Sequence, residues 1–130
     1  MDIEEALAAL ERVAAQHADL RLLVLHGSRS QGHLHDRSDW DLGYLAALPF
    51  DPGALHSDLT RTLATEDVDL VDLARASALL RFRAARDGHC VYEEQPGEFD
   101  TFVMEATLFW CDIEPIVRRA HDAVLSRLPG

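Results

Sequence analysis

The sequence predicts an α/β (α+β) domain, and three observations carry that expectation. Apolar residues recur at helical spacing in several stretches. Between these lie short, apolar-rich runs of strand length. Polar segments punctuated by Gly or Pro separate the two kinds. The order reads helix, strand, loop or short helix, strand, helix, strand, helix, short strand, helices.

The first helix is expected over residues 3–17. Ile3, Ala6, Leu7, Leu10, Val13 and Ala14 share one face, Asp2 stands at the N-cap position, and Glu4 and Glu5 suit the first turn. Residues 20–26 (LRLLVLH) are nearly continuous in apolar character, as a strand buried on both faces would be. Residues 27–38 (GSRSQGHLHDRS) read as a loop or short helix, and residues 39–46 as a second strand. Asp51-Pro52 opens a helix to about Thr65, with Asp capping and Pro at the first position. Residues 67–73 (DVDLVDL) form a third strand, and residues 76–87 a helix closed by Gly88 at the C′ position. Residues 89–93 are a short strand. A final stripe runs from Phe99 through Phe102, Phe109 and Trp110 to Leu128, and Pro115 is expected to kink or split it, with Asp112 able to cap the second piece.

With 130 residues the chain is expected to form one domain. Asp and Glu total 23 against 12 basic residues, for a formal net charge of −11. Every basic residue is Arg, so lysine-dependent chemistry is excluded: no P-loop lysine, no Schiff base, no lysine general base. The acidity argues against general nucleic-acid binding, which depends on neutralising phosphates. It suits a metal site or a basic protein partner. The two cysteines, Cys90 and Cys111, are too few for a disulfide framework and are expected as core-facing thiols in a reducing cytoplasm. The N-terminus has no basic segment followed by an apolar run, and no stretch approaches the roughly 20 apolar residues that span a bilayer.

The chemistry concentrates in Gly27-Ser28-Arg29 and Ser38-Asp39-Trp40-Asp41-Leu42-Gly43. Gly27 directly follows a buried strand, where a turn can aim backbone N–H groups at an anion. Ser28 adds a hydroxyl donor and Arg29 a cation suited to phosphate. Asp39 and Asp41 are two apart on a strand, so they share a face with Cα atoms about 7 Å apart. Such a pair can bracket a hard divalent cation together with substrate phosphates. Trp40, Leu42 and Tyr44 occupy the other face. A third carboxylate is available in the next strand, where Asp69 shares a face with Val71 while Asp72 shares the opposite one with Val68 and Leu70. Three carboxylates on adjacent strands could hold two metal ions about 4 Å apart.

The pattern HGSRSQG…RSDWDLGYL resembles the signature of the nucleotidyltransferase superfamily that includes the palm domain of DNA polymerase beta. The short length and VDLVDL resemble its minimal branch. The resemblance covers roughly residues 1–95, leaving C-terminal helices at about 97–128, and it implies a small mixed sheet flanked by helices. It makes Gly27 and Ser28 the triphosphate-binding turn, with Arg29 as the adjoining nucleotide-binding cation, and Asp39 and Asp41 the ligands of Mg²⁺. It makes Asp69 the third carboxylate, catalytic and metal-binding, with Asp72 and Asp67 as alternatives. One departure is His33-Leu34-His35-Asp36, where relatives often carry a Pro shortly before Ser-Asp. ATP is the implied substrate, and one or two Mg²⁺ ions the implied cofactor. Members of the branch are often encoded beside helical HEPN proteins. In some such toxin–antitoxin pairs the nucleotidyltransferase moves AMP to a tyrosine of the toxin. The alternatives are transfer to a small hydroxyl-bearing molecule such as an antibiotic, with a second copy of the chain supplying the missing wall, and a binding module that neutralises a partner by contact alone.

Other residues carry blander expectations. His26 should be packed and hydrogen-bonded at its strand end, though close enough to touch nucleotide. His33 and His35 should be exposed. Arg75, Arg81, Arg83 and Arg86 should form a solvated helix face, the alternative being a phosphate or acidic-partner contact. The aromatic stripe should be mostly core, with enough aromatics left over for a partner surface.

Overall fold

A computed structural model of the chain describes residues 2–27 and 39–129. Helix α1 spans Ile3–Ala15, and the Asp2 carboxylate caps it by accepting from the Glu5 N–H at 2.8 Å. Strands β1 (Leu20–His26) and β2 (Trp40–Ala46) follow. Helix α2 (Pro52–Leu63) opens on Pro52, with Asp51 accepting from the Ala54 N–H at 3.2 Å. Then come β3 (Val68–Asp72), α3 (Ala78–Asp87), β4 (His89–Glu93) and α4 (Glu98–Ser126). The helices and strands expected up to residue 93 are present, with several ends drawn in by a residue or two, while the loop or short helix expected over 27–38 lies outside the described residues from 28 onward.

The sheet order among the described residues is β3-β2-β1-β4. Strand β1 runs antiparallel to both β2 and β4, while β2 and β3 are parallel and joined through α2. The interior position of β1 explains its unbroken apolar run. Leu23 and Leu25 pack with Leu10, Leu42, Leu55 and Leu59 beneath α1 and α2. Leu22 and Val24 pack with Ala84, Phe102 and Ala106 beneath α3 and α4. Successive side chains thus enter different cores, and both cores require apolar residues.

Three details differ from expectation. Helix α4 runs through Pro115 as one helix of 29 residues instead of two, and Asp112 lies inside it. Proline frees the carbonyl four residues back, that of Cys111. Cys111 lies on the exposed side of the helix. Gly88 does not adopt the left-handed closing conformation; it is extended, with φ −76° and ψ 157°. Glycine is required there by close approach: an added Cβ would collide with the Ala84 carbonyl oxygen and lie 2.7 Å from a Val24 methyl. The cysteines also differ from each other. Cys90 is half-buried, and burial, with Glu93 adding to it, pushes its thiol up to about 11.

The start of α4 is capped from outside the helix. Glu93, at the end of β4, accepts from the Gly97 N–H at 3.2 Å and the Phe99 N–H at 2.9 Å. This uses one carboxylate for two otherwise orphaned donors and favours negative charge at the positive helix end. Beyond Trp110, which stacks on Phe82 at 5.8 Å, the stripe leaves the body. Val117, Val124 and Leu128 are each about half exposed. The stripe is therefore core only in its first half.

Candidate active site

The C-terminal end of β1 meets the N-terminal ends of β2 and β3 at one edge of the sheet. Antiparallel pairing sets His26 opposite Asp41, and parallel pairing sets Asp69 opposite Asp41 on its other side. Directly paired residues of adjacent strands share a face. His26, Asp41 and Asp69 therefore form a row across three strands. Asp39 lies just before β2 and is close enough to act electrostatically on Asp41.

Burial pushes the Asp41 carboxyl above its ordinary range; His26 draws it down, while Asp69 and Asp39 push it further up. Burial depresses the His26 imidazole, and Asp41 and Asp69 oppose that depression. The expectation of a hydrogen-bonded His26 fails at one atom: its buried Nε2 has no hydrogen-bond partner among the described residues.

Gly27 follows with φ +74°, a conformation that side-chain-bearing residues rarely adopt. An added Cβ would run into the Asp41 carboxylate and approach its Cγ to 3.1 Å. Glycine thus permits both the turn and the position of Asp41. Ser28 and Arg29 lie outside the described residues, as do His33 and His35.

The alternatives for the third carboxylate separate in space. Asp72 pairs in register with Tyr44, on the face opposite Asp41. Its carboxylate accepts from the Ala74 N–H at 3.0 Å and faces Arg75 at 3.8 Å, which makes it part of the turn after β3. Asp67 precedes β3, where its carbonyl accepts from the Trp40 N–H at 2.9 Å. Asp69 is exposed on the strand that pairs only with β2 among the described residues.

Helix α3 covers the other side of the row. A cavity of about 520 Å³ lies between it and the strand ends, lined by His26, Gly27, Asp41, Leu80, Arg83, Arg86 and Asp87. Arg83 and Arg86 therefore face a cleft instead of open solvent alone. Their i, i+3 spacing in the sequence was the available signal. The packing of α3 against this end of the sheet was not. Among the described residues, no group of three or more His, Cys, Asp or Glu side chains is already close enough to hold a metal ion.

The family model described as polymerase beta, nucleotidyltransferase matches residues 8–97. The chain is 32% identical over 111 residues to protein adenylyltransferase MntA of Aphanizomenon flos-aquae, covering 75% of this chain and 73% of that one. It is 40% identical over 79 residues to protein adenylyltransferase MntA of Shewanella oneidensis, covering 58% and 56% respectively. A chain in a crystal structure of a toxin–antitoxin with AMP-PNP superposes with a TM-score of 0.76 at 28% identity, covering 95% of this chain and 99% of that one.

Proposed function

The chain belongs to the polymerase beta nucleotidyltransferase family, and from that premise we propose that it moves AMP from ATP to a tyrosine hydroxyl of a HEPN toxin, acting as its antitoxin. The observation that carries this reading is the register of β2 and β3, which brings Asp41 and Asp69 together on one face beside Gly27. The adenylyltransferase relatives and the toxin–antitoxin neighbour with its bound ATP analogue support the reaction class and the partner.

The residues fit a hard divalent cation. Asp39, Asp41 and Asp69 offer oxygen donors only, and Mg²⁺ commonly takes one or two carboxylates, completing its shell with substrate phosphates and water. Burial raises the Asp41 carboxyl, with Asp69 and Asp39 adding to it, and a bound cation would favour its charged form. These three side chains would hold one or two Mg²⁺ ions, which when bound supply charge stabilisation at the phosphoryl oxygens.

The remaining steps belong to the protein's own groups. Ser28 and Arg29 hold the triphosphate in this reading, with Gly27 leaving room for Asp41. The acceptor oxygen attacks the α-phosphorus, a new O–P bond forms, and the bond to the α,β-bridging oxygen breaks to release pyrophosphate. An Asp69 carboxylate oxygen takes the acceptor's proton, the role its exposure on β3 permits. The half-exposed distal stripe of α4 is an apolar surface suited to a protein partner. A cytoplasmic location accompanies this reading, because ATP is available there.

The test uses purified protein, labelled ATP, Mg²⁺ and the toxin encoded beside it. Sub-stoichiometric protein is expected to label the toxin with AMP. The Asp39→Asn/Asp41→Asn variant is expected to lose labelling and to fail to protect cells. If that variant protects at equal expression, neutralisation works by contact alone. If a small hydroxyl compound is labelled and the toxin is not, the acceptor has been misassigned.

A further inference from the structure

We propose that Arg83 and Arg86 of α3 bind the β- and γ-phosphates of the nucleotide and the pyrophosphate that leaves. The inference rests on the nucleotidyl-transfer reading above and assigns a binding role to a helix outside the Gly-Ser and Asp-x-Asp segments.

The cleft beneath α3 has a direction. It is lined by the end of β1 and by Asp41 of β2, together with α3; Asp69 of β3 is not part of its wall. An acceptor whose proton goes to Asp69 approaches from the β3 side. In-line displacement puts the leaving group opposite the attacking oxygen. From Asp41, that direction leads toward β1 and into this cleft.

The chemistry of the wall suits an anion. The molecule carries a net charge of −11, yet two arginines line this one cavity, alongside Asp41 and Asp87. Arg83 has no ion pair within 4.0 Å among the described residues. Arg86 is held in place: Asp87 accepts from its Nε at 3.0 Å and its second terminal nitrogen at 2.8 Å, and the guanidinium lies 5.5 Å from the centre of the Phe82 ring. Its remaining donors stay available, since a guanidinium has five N–H groups. An arginine tethered by Asp87 beside one without an ion pair among the described residues suits a diphosphate that must bind and then depart. As the bond to the bridging oxygen breaks, that oxygen gains negative charge, and the two cations lie where it accumulates.

The experiment compares ATP, pyrophosphate and AMP binding, each with Mg²⁺, by calorimetry on the full chain. Both arginines are exposed, so Arg83→Gln/Arg86→Gln is expected to keep its fold, which circular dichroism and the thermal midpoint verify. ATP and pyrophosphate should bind roughly 10- to 100-fold more weakly, while AMP affinity stays unchanged. Arg83→Lys/Arg86→Lys should recover part of the loss, since charge remains without the fork. Equal weakening of ATP and AMP would place the arginines at the α-phosphate or nucleoside and overturn the assignment. Unchanged ATP and pyrophosphate binding, with a raised KM for the toxin, would make them acceptor contacts and overturn it as well. Wild-type protein that binds none of the three would remove the nucleotide reading itself, a result distinct from either of these.

Discussion

Beneath α1 and α2 the sheet presents Leu23, Leu25, Trp40, Leu42 and Tyr44, apolar or aromatic along both central strands. Beneath α3 and α4 the same strands change character along their length. On β1 the sequence passes from Leu22 and Val24 to His26; on β2 it passes from Asp41 through Gly43 to Leu45. One face is therefore given to stability alone. The other is core at one end and carries a crowded row of titratable groups at the other. Because strand side chains alternate strictly, one seven-residue strand serves both faces without conflict. Mutations on the two faces should thus separate stability from activity.

The largest effect expected in free energy is on the purely apolar face. Leu59 is fully buried between α2 and the sheet. Leu59→Ala should cost about 2–5 kcal/mol, from lost burial plus the cavity left behind. Urea unfolding measures it. Transfer activity per folded molecule should remain near wild type at temperatures where the variant is folded. A comparable loss of activity in the folded fraction would mean that the two faces are coupled, and the division drawn above would break.

The second test sharpens the other face. Asp69→Asn should lower AMP transfer by about two orders of magnitude or more, on the scale of a lost general base. Asp72→Asn should leave transfer near wild type, since its carboxylate serves the turn at Ala74 and Arg75 on the opposite face. Labelling rates at saturating ATP compare them. If Asp72→Asn abolishes transfer and Asp69→Asn does not, the functional face of β3 is the other one.

Much of this arrangement was legible in the residues themselves, for a physical reason. Period-two alternation puts Asp39 with Asp41 and separates Asp69 from Asp72 before any contact is known. The caps at Asp2 and Asp51 follow from local hydrogen-bonding chemistry, and the doubly buried β1 from its composition. What was not legible depends on tertiary placement. Nothing local tells that α3 docks over the site, so Arg83 and Arg86 read as a solvated face. The orphaned His26 Nε2 is likewise a property of what surrounds it. Pro115 read as a break because the sequence does not show that Cys111 lies on the exposed side of the helix. Gly88 read as a helix-closing C′ residue, although its actual constraint is the approach of Ala84 and Val24.

The smallest effect concerns strain placed away from the site. Ala64 closes α2 with φ +55° and ψ +37°, the left-handed conformation that glycine ordinarily supplies. Its N–H points back to the carbonyls of Thr60 and Arg61, so the conformation is required to end the helix. The Cβ of an L-residue is crowded there, at a cost of roughly 1–2 kcal/mol. Glycine removes that cost but adds freedom to the unfolded chain, so the two effects partly cancel. Ala64→Gly should therefore gain about 0.5–1 kcal/mol, read as a rise of roughly 2–5 °C in the thermal midpoint. Transfer activity should not change, because α2 packs on the face without the carboxylates. A gain in stability accompanied by lost activity would show that strain at this cap is transmitted through β3 to Asp69. The strand begins only four residues after Ala64, so this experiment asks directly whether the scaffold face holds the site in register or merely supports it.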